Sequence, residues 1–397
     1  MNNARALSHL KVVELSGRIA VAFCTKVLAD FGAEVIKVEP RVAGAPERRL
    51  GPFKDNRTSA NGGGLHLFLN TNKKSVTLDP ATETGARILK RLLGDADAFV
   101  EGTAPGSLAP WGLDAQALEA ALPHLLVTSI SDFGQSGPYR DYQASDLVHW
   151  AMSCMLVSSG LPDREPVRVG DDLSEYVAGL HACATTICCL FGRHALHGQS
   201  VDLSVLESFI TMMPSNALMY AYHKTLAPRS GNRFPISIVE CKDGYVGFYP
   251  QLQHQWESFA VLVGRPELTE DARFAMPAAR LQHATEAMAL IRPWFKKHTC
   301  EQAVRTGQEL RVPIIKVASA RDMVENPQFH ARQFFADIGT EETGEVMAPG
   351  RPFALDQTPW QLAAPAPVLG QHNLEVYCNR LGFSKVDLTA LSEQGVV

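Results

Sequence analysis

Acidic residues crowd together at one point, just ahead of a long apolar stretch. Gly170-Asp171-Asp172-Leu173-Ser174-Glu175 places three carboxylates before Tyr-Val-Ala-Gly-Leu and a run that stays largely apolar to Phe191. Acids at the start of a helix have an ordinary structural use. The helix N-terminus favours negative charge by ~0.3–1 kcal/mol, and Asp172 or Ser174 would serve as a cap. Glu175 is the acid nearest the apolar segment. A carboxylate there would be partly withdrawn from water, and desolvation is one way to make it reactive. On pattern alone helix capping is the commoner role for such acids, and Glu175 is the one among them to weigh for catalysis.

Few other residues compete. The chain has no GxGxxG, Walker, GxSxG or HExxH pattern. Gly62-Gly63-Gly64 follows no strand signal and reads as a flexible loop. His181 sits inside the apolar run, where a hydrogen-bonded core histidine is the common case. His149, His194, His197 and His372 have no partner at a recognisable spacing. Lys73-Lys74 and Arg48-Arg49 suit phosphate, although exposed basic pairs are usually solvated surface. Trp256 and Trp294 fit helix faces turned to a core. The eight cysteines form no CxxC pair. They suit neither a metal site nor a disulfide framework, and a reducing cytoplasm fits them.

The elements that would carry Glu175 alternate. Leu10 to Leu15, Glu34 to Val38, Ala98 to Val100 and Leu125 to Ile130 read as strands. Helical patterns intervene at Val21 to Phe31, 82–95 and 114–121, so parallel βαβ units are expected. A buried helix runs from Ser174 to Phe191 and is broken by His197-Gly198-Gln199. A strand from Val201 to Leu203 and a helix from Val205 follow. Beyond 225 the pattern changes to short strands with an Asp243-Gly244 turn, then helices over about 253–310. This predicts a large domain over 1–220, completed by 330–397, and a small α+β domain over 225–325. The proline-rich stretch 340–370 is expected to wrap back over the first domain.

Composition narrows the function classes. Hydrophobic residues are 46% and charged residues 20%, as in globular proteins, and the net charge of -5 argues against a nucleic-acid surface. No apolar core follows a basic start, so no signal peptide is expected. The run Tyr176 to Phe191 falls short of the ~20 residues that cross a bilayer, so no membrane partner is expected.

Segments along nearly the whole chain resemble the family III CoA-transferases, which include formyl-CoA transferase, the carnitine-pathway enzyme and acyl-CoA racemases. These are LADFGAEVIKVEP (28–40), NTNKKSVTLD (70–79), SISDFGQSGPY (129–139) and GQSVDLSVLES (198–208), followed by KDGYVGF (242–248), NPQFHAR (326–332), LGQH (369–372) and the terminal LSEQGVV. The resemblance implies an α/β, Rossmann-like large domain with a parallel sheet, a smaller domain, and two interlocked subunits. It implies transfer of CoA from an acyl-CoA donor to a small free carboxylic acid, with the CoA thioester as substrate and no tightly bound cofactor. The family's nucleophilic aspartate lies four residues before a glycine, which is Gly179 here, so Glu175 takes its place. The implied CoA-contacting positions are Arg41, Lys74, Leu78, Gly102, Thr103 and Ser131. Three departures stand out: Pro40 follows the IKVE glutamate, Pro110 replaces a basic residue, and Ser145-Asp146 replaces the racemase His-Asp pair. The expected activity is CoA transfer by a homodimer. The alternatives are a non-catalytic subunit paired with a relative in a heteromer, and a racemase or isomerase.

Overall fold

The computed structural model describes residues 5–397 except 16, 194–198, 227, 230 and 233. The predicted break at His197-Gly198 therefore lies outside the described residues. The chain divides into two compact units. The first takes in Met1–Met155, Val169–Lys224 and Ala331–Val397, and the second Leu156–Arg168 and Thr225–His330.

The alternating pattern builds a six-stranded sheet in the first unit. Its strands are β1 (Lys11–Leu15), β2 (Glu34–Glu39), β3 (Lys74–Thr77), β4 (Ala98–Glu101), β5 (Leu126–Ser131) and β6 (Ser200–Ser204). They pair in parallel in the order β3-β2-β1-β4-β5-β6. This is the doubly wound, Rossmann-like order, and it reverses between β1 and β4. Ligands of such sheets bind in the crevice outside the carboxyl ends of the strands at that switch point.

Successive strand side chains point to opposite faces, so each strand feeds two cores. Val13, Ile36, Phe99 and Val127 pack under Ile88, Leu89 and Leu92 of the Glu83–Leu93 helix. Val12, Val35, Val100 and Ile130 pack against Ala20, Val21, Cys24 and Leu28 of the first helix (Ile19–Asp30) and Ala178 and Ala182 of the long helix (Leu173–Gly192). Each fully buried aliphatic side chain contributes ~1.5–3 kcal/mol. The long helix has 20 residues and enough apolar character to cross a membrane by length and composition. Its place against the first helix makes it a core element of this unit.

Two basic residues read as surface are buried. Arg48 is 0% exposed and grips Glu39 with Nε (2.6 Å) and Nη2 (2.8 Å). Burial would raise the Glu39 pKa, but Arg48 and Lys37 outweigh it and hold the carboxyl at about 2. Lys73 donates to Glu14 Oε2 at 2.9 Å and to the Ala22 carbonyl at 2.8 Å. Burial lowers its pKa to about 8, with the Glu14 charge opposing the shift. Gly64 begins a helix, Gly64–Leu69, where the glycine run was expected to be loop. Within the first unit the C-terminal stretch bonds back to the earlier part of the chain: Arg48 Nη2 donates to the Pro367 carbonyl (3.1 Å) and Tyr377 Oη to that of Thr77 (2.7 Å).

The second unit has an antiparallel sheet, β7 (Ser237–Cys241), β8 (Gly244–Phe248) and β9 (Ile314–Lys316), in that order. The Asp243-Gly244 turn closes its hairpin, and helices Gln253–Leu262, Ala284–Lys297 and Cys300–Glu309 complete the α+β unit. Phe234, Phe248, Trp256, Phe259 and Phe295 form its aromatic core. Trp294 is only partly buried, and its ring stacks on His298.

Candidate active site

The loops after β1, β4 and β5 meet at the switch point and enclose a cleft of about 600 Å³. Gly17 and Arg18 follow β1, Gly102 and Thr103 follow β4, and Ser131 and Asp132 close β5; Glu175 lines the same cleft. A larger cavity of about 810 Å³ lies in the second unit, and the described residues that line it carry no charge. The smaller cleft brings together Glu175, Asp132 and Arg18, and is the candidate for the chemistry.

Glu175 lies in the first turn of the long helix, with its side chain 13% exposed. Its Oε1 accepts from Arg18 Nη2 at 2.5 Å, and its Oε2 accepts from the Ala20 backbone N–H at 3.0 Å. The first turn of the first helix contains no acid and no side-chain cap of its own. Glu175 meets one of its open N–H groups from outside and also sits where the helix dipole favours an anion. The long helix is capped in the same manner. Asp172 stands at its N-cap position without a side-chain capping bond. Asp146 accepts instead from Ser174 N (2.9 Å) and Ser174 Oγ (2.8 Å). Capping by Asp172 or Ser174, expected from local sequence, is thus replaced by a residue 28 positions away.

Two glycines make the arrangement sterically possible. A Cβ on Gly179 would lie 2.8 Å from the Ala20 carbonyl oxygen, so this residue sets the close approach of the two helices. Residues four apart on a helix share a face, which brings Glu175 over the start of the first helix. A Cβ on Gly102 would lie 2.9 Å from Arg18 Cγ. Its absence leaves the channel through which the arginine side chain reaches Glu175.

Behind Arg18 runs a second layer of polar groups. Arg18 Nη2 also donates to Asp132 Oδ1 at 2.5 Å. His149 Nε2 lies 3.3 Å from the same oxygen, without the alignment of a hydrogen bond, and His149 Nδ1 is 2.9 Å from Ser174 Oγ. Burial alone would raise the Asp132 pKa, but His149 and Arg18 hold the carboxyl down at about 2. Burial would weaken the Arg18 cation, but Glu175 and Asp132 override it and keep the guanidinium charged. Burial, reinforced by Asp171 and Asp172, pushes the neighbouring Tyr176 hydroxyl up to about 12.

Of the residues expected at the site, Glu175, Gly102, Thr103 and Ser131 come together here. Thr103 is fixed by Glu101 Oε2, which accepts from both its N–H and its hydroxyl at 2.7 Å. Ser131 Oγ is buried and has no hydrogen-bond partner among the described residues. Arg41, Lys74 and Leu78 do not line the cleft. Arg41 donates to the Ser392 carbonyl, Lys74 pairs with Glu34 (2.8 Å) and Glu375 (2.7 Å), and the Leu78 side chain lies in the core. Arg18, Asp132, Arg140, Asp146 and His149 were not singled out for this chemistry in the sequence. For Arg18 a usable signal exists: it sits between a strand and a helix at the end of a parallel strand. His181 bonds the Val177 carbonyl within its own helix, as expected of a core histidine.

Comparison with known proteins identifies the family and the fold. The succinyl-CoA–D-citramalate CoA-transferase of Chloroflexus aurantiacus is 33% identical over 99% of this chain and 98% of its own length. The succinyl-CoA–L-malate CoA-transferase beta subunit of the same organism is 28% identical over 98% of each chain. The crystal structure of a CAIB/BAIF family protein from Brucella suis superposes with a TM-score of 0.83 at 27% identity, covering 94% of this chain and 99% of the other. Residues 7–373 match the sequence profile of CoA-transferase family III, and the chain belongs to that family.

Proposed function

We propose that the protein moves CoA from an acyl-CoA donor to a free carboxylic acid, with Glu175 as the covalent nucleophile. One observation carries this reading: a part-buried carboxylate at the sheet's switch point, held by a cation and a helix N-terminal N–H, in a cleft with room for a thioester. The Glu175 carboxylate attacks the donor thioester carbonyl. The C–S bond breaks, CoA leaves as thiolate, and a mixed anhydride remains. The thiolate then attacks the glutamyl carbonyl, the donor acid departs as carboxylate, and a glutamyl-CoA thioester forms. The acceptor carboxylate attacks that carbonyl and expels the thiolate. The thiolate takes the acceptor's acyl carbon and Glu175 is regenerated, with no net proton change. The Ala20 N–H, 3.0 Å from Oε2, is placed to stabilise the oxyanion on the glutamyl carbonyl.

The relatives named for succinyl-CoA with D-citramalate or L-malate make a small dicarboxylic acid the expected acceptor class. In this reading Gly102 and Thr103 receive the CoA end of the substrate, with Ser131 behind them. A symmetric partner is also part of the proposal. The Pro214–His223 helix buries none of its residues, and Leu218, Met219, Tyr220 and Tyr222 are exposed. A second copy covering this helix would explain them.

The test is intact-protein and peptide mass spectrometry after incubation with a panel of acyl-CoAs. The expected result is a CoA adduct on Glu175 that is lost in Glu175→Gln. No adduct with any donor, or full turnover by Glu175→Gln, would overturn the assignment. Gel filtration coupled to light scattering checks the dimer.

A further inference from the structure

Arg18 holds two carboxylates in the resting protein, and the proposed chemistry removes one of them. Glu175 Oε1 and Asp132 Oδ1 both accept from Arg18 Nη2, and Nε reaches Glu175 Oε2 at 3.5 Å. When Glu175 becomes an anhydride or a thioester its carbonyl is neutral. Asp132 stays beside the guanidinium of Arg18, whose side chain is 16% exposed and runs close over Gly102. Arg18 then has donors directed at the glutamyl carbonyl and no carboxylate charge on that side. A planar guanidinium binds a carboxylate through two parallel hydrogen bonds, the strongest neutralisation a side chain offers.

Building on the transferase reading, we infer that Arg18 is the docking group for the free acid: each time Glu175 is acylated, the arginine exchanges the Glu175 carboxylate for that of the leaving donor acid or the arriving acceptor acid. The exchange sets the attacking oxygen beside the glutamyl carbonyl carbon. The acceptor carboxylate adds there, the C–S bond to CoA breaks, and the negative charge passes to the CoA thiolate. Water and other neutral nucleophiles gain nothing from the guanidinium, so the covalent intermediate discriminates in favour of carboxylates. The resting ion pair has a matching role. With Glu175 free, the arginine is occupied, and a free acid has no anchor until CoA has been loaded.

The two half-reactions separate this role from mere support of Glu175. The enzyme is loaded with an acyl-CoA, freed of excess donor, and discharged either with succinate or with neutral hydroxylamine. For Arg18→Gln the expected result is discharge by succinate slowed about 10- to 150-fold, the span of one charged hydrogen bond. Discharge by hydroxylamine stays within about twofold, because it makes no such bond. Arg18→Lys should fall between the two, and ethylguanidinium should restore succinate discharge in Arg18→Ala. Parallel loss of both discharges, failure of a folded variant to load, or succinate discharge at the wild-type rate would each overturn the inference. Those outcomes leave Glu175 as nucleophile intact. Absence of an adduct on the wild-type protein removes the nucleophile and this inference together.

Discussion

Gly179→Ala is expected to destabilise the protein, although the same change in an ordinary helix interior stabilises it. Alanine is favoured over glycine in a helix by about 1 kcal/mol. At Gly179 the added methyl would stand 2.8 Å from the Ala20 carbonyl oxygen and 3.2 Å from Phe23 Cβ. Restoring ordinary carbon–oxygen contact requires a separation of roughly half an ångström, and overpacking of this kind costs ~1–3 kcal/mol. The overpacking term therefore equals or exceeds the propensity gain, and the net change is destabilising by up to ~2 kcal/mol. The same displacement stretches the bond from Ala20 N to Glu175 Oε2, now 3.0 Å, to the limit of hydrogen bonding. A shift of ~1 Å at a reacting group can cost ~10²-fold in rate, so roughly tenfold is expected here. Denaturant unfolding measures the first quantity, and the rate of adduct formation on Glu175 the second. A Gly179→Ala protein that is more stable than wild type and forms the adduct at full rate would refute the close-approach argument.

Three further outcomes follow from the same geometry. Gly102→Ala places a methyl 2.9 Å from Arg18 Cγ and 2.7 Å from Val21 Cγ2, and should slow adduct formation while far-ultraviolet circular dichroism stays unchanged. Arg48→Ala leaves Glu39 as a buried charge without its guanidinium and should cost ~3–5 kcal/mol in denaturant unfolding. The Asp132 pKa is lowered from 3.8 to about 2, so its stabilisation is complete above the ordinary value and is lost as pH falls through about 2. Thermal melts of Asp132→Asn should accordingly show a flatter pH dependence than wild type between pH 4 and 2, and equal slopes would contradict this assignment.

The sequence alone determined the parts of this protein that depend on neighbours along the chain. Alternating β-branched runs and amphipathic stretches made the βαβ units legible, because strand and helix periods are local properties. Asp243-Gly244 marked its hairpin for the same reason. Glu175 was visible because an acid next to a long apolar run must lie where helix end and core meet. What surrounds Glu175 was decided only by the tertiary structure. Arg18 is 157 residues away, and the two meet because parallel strands deliver their following loops to one edge of the sheet. The cap on the long helix comes from Asp146 and displaces the local choice of Asp172, since a buried N–H needs an acceptor but not a nearby one in sequence. Arg48 and Lys73 looked like surface because a basic pair carries no sign of its partner. Their burial rests on Glu39 and Glu14, which sit on adjacent strands and neutralise them away from water. Periodicity reports which face of an element is apolar, whereas the pairing of charges across elements depends on strand order, which no local pattern encodes.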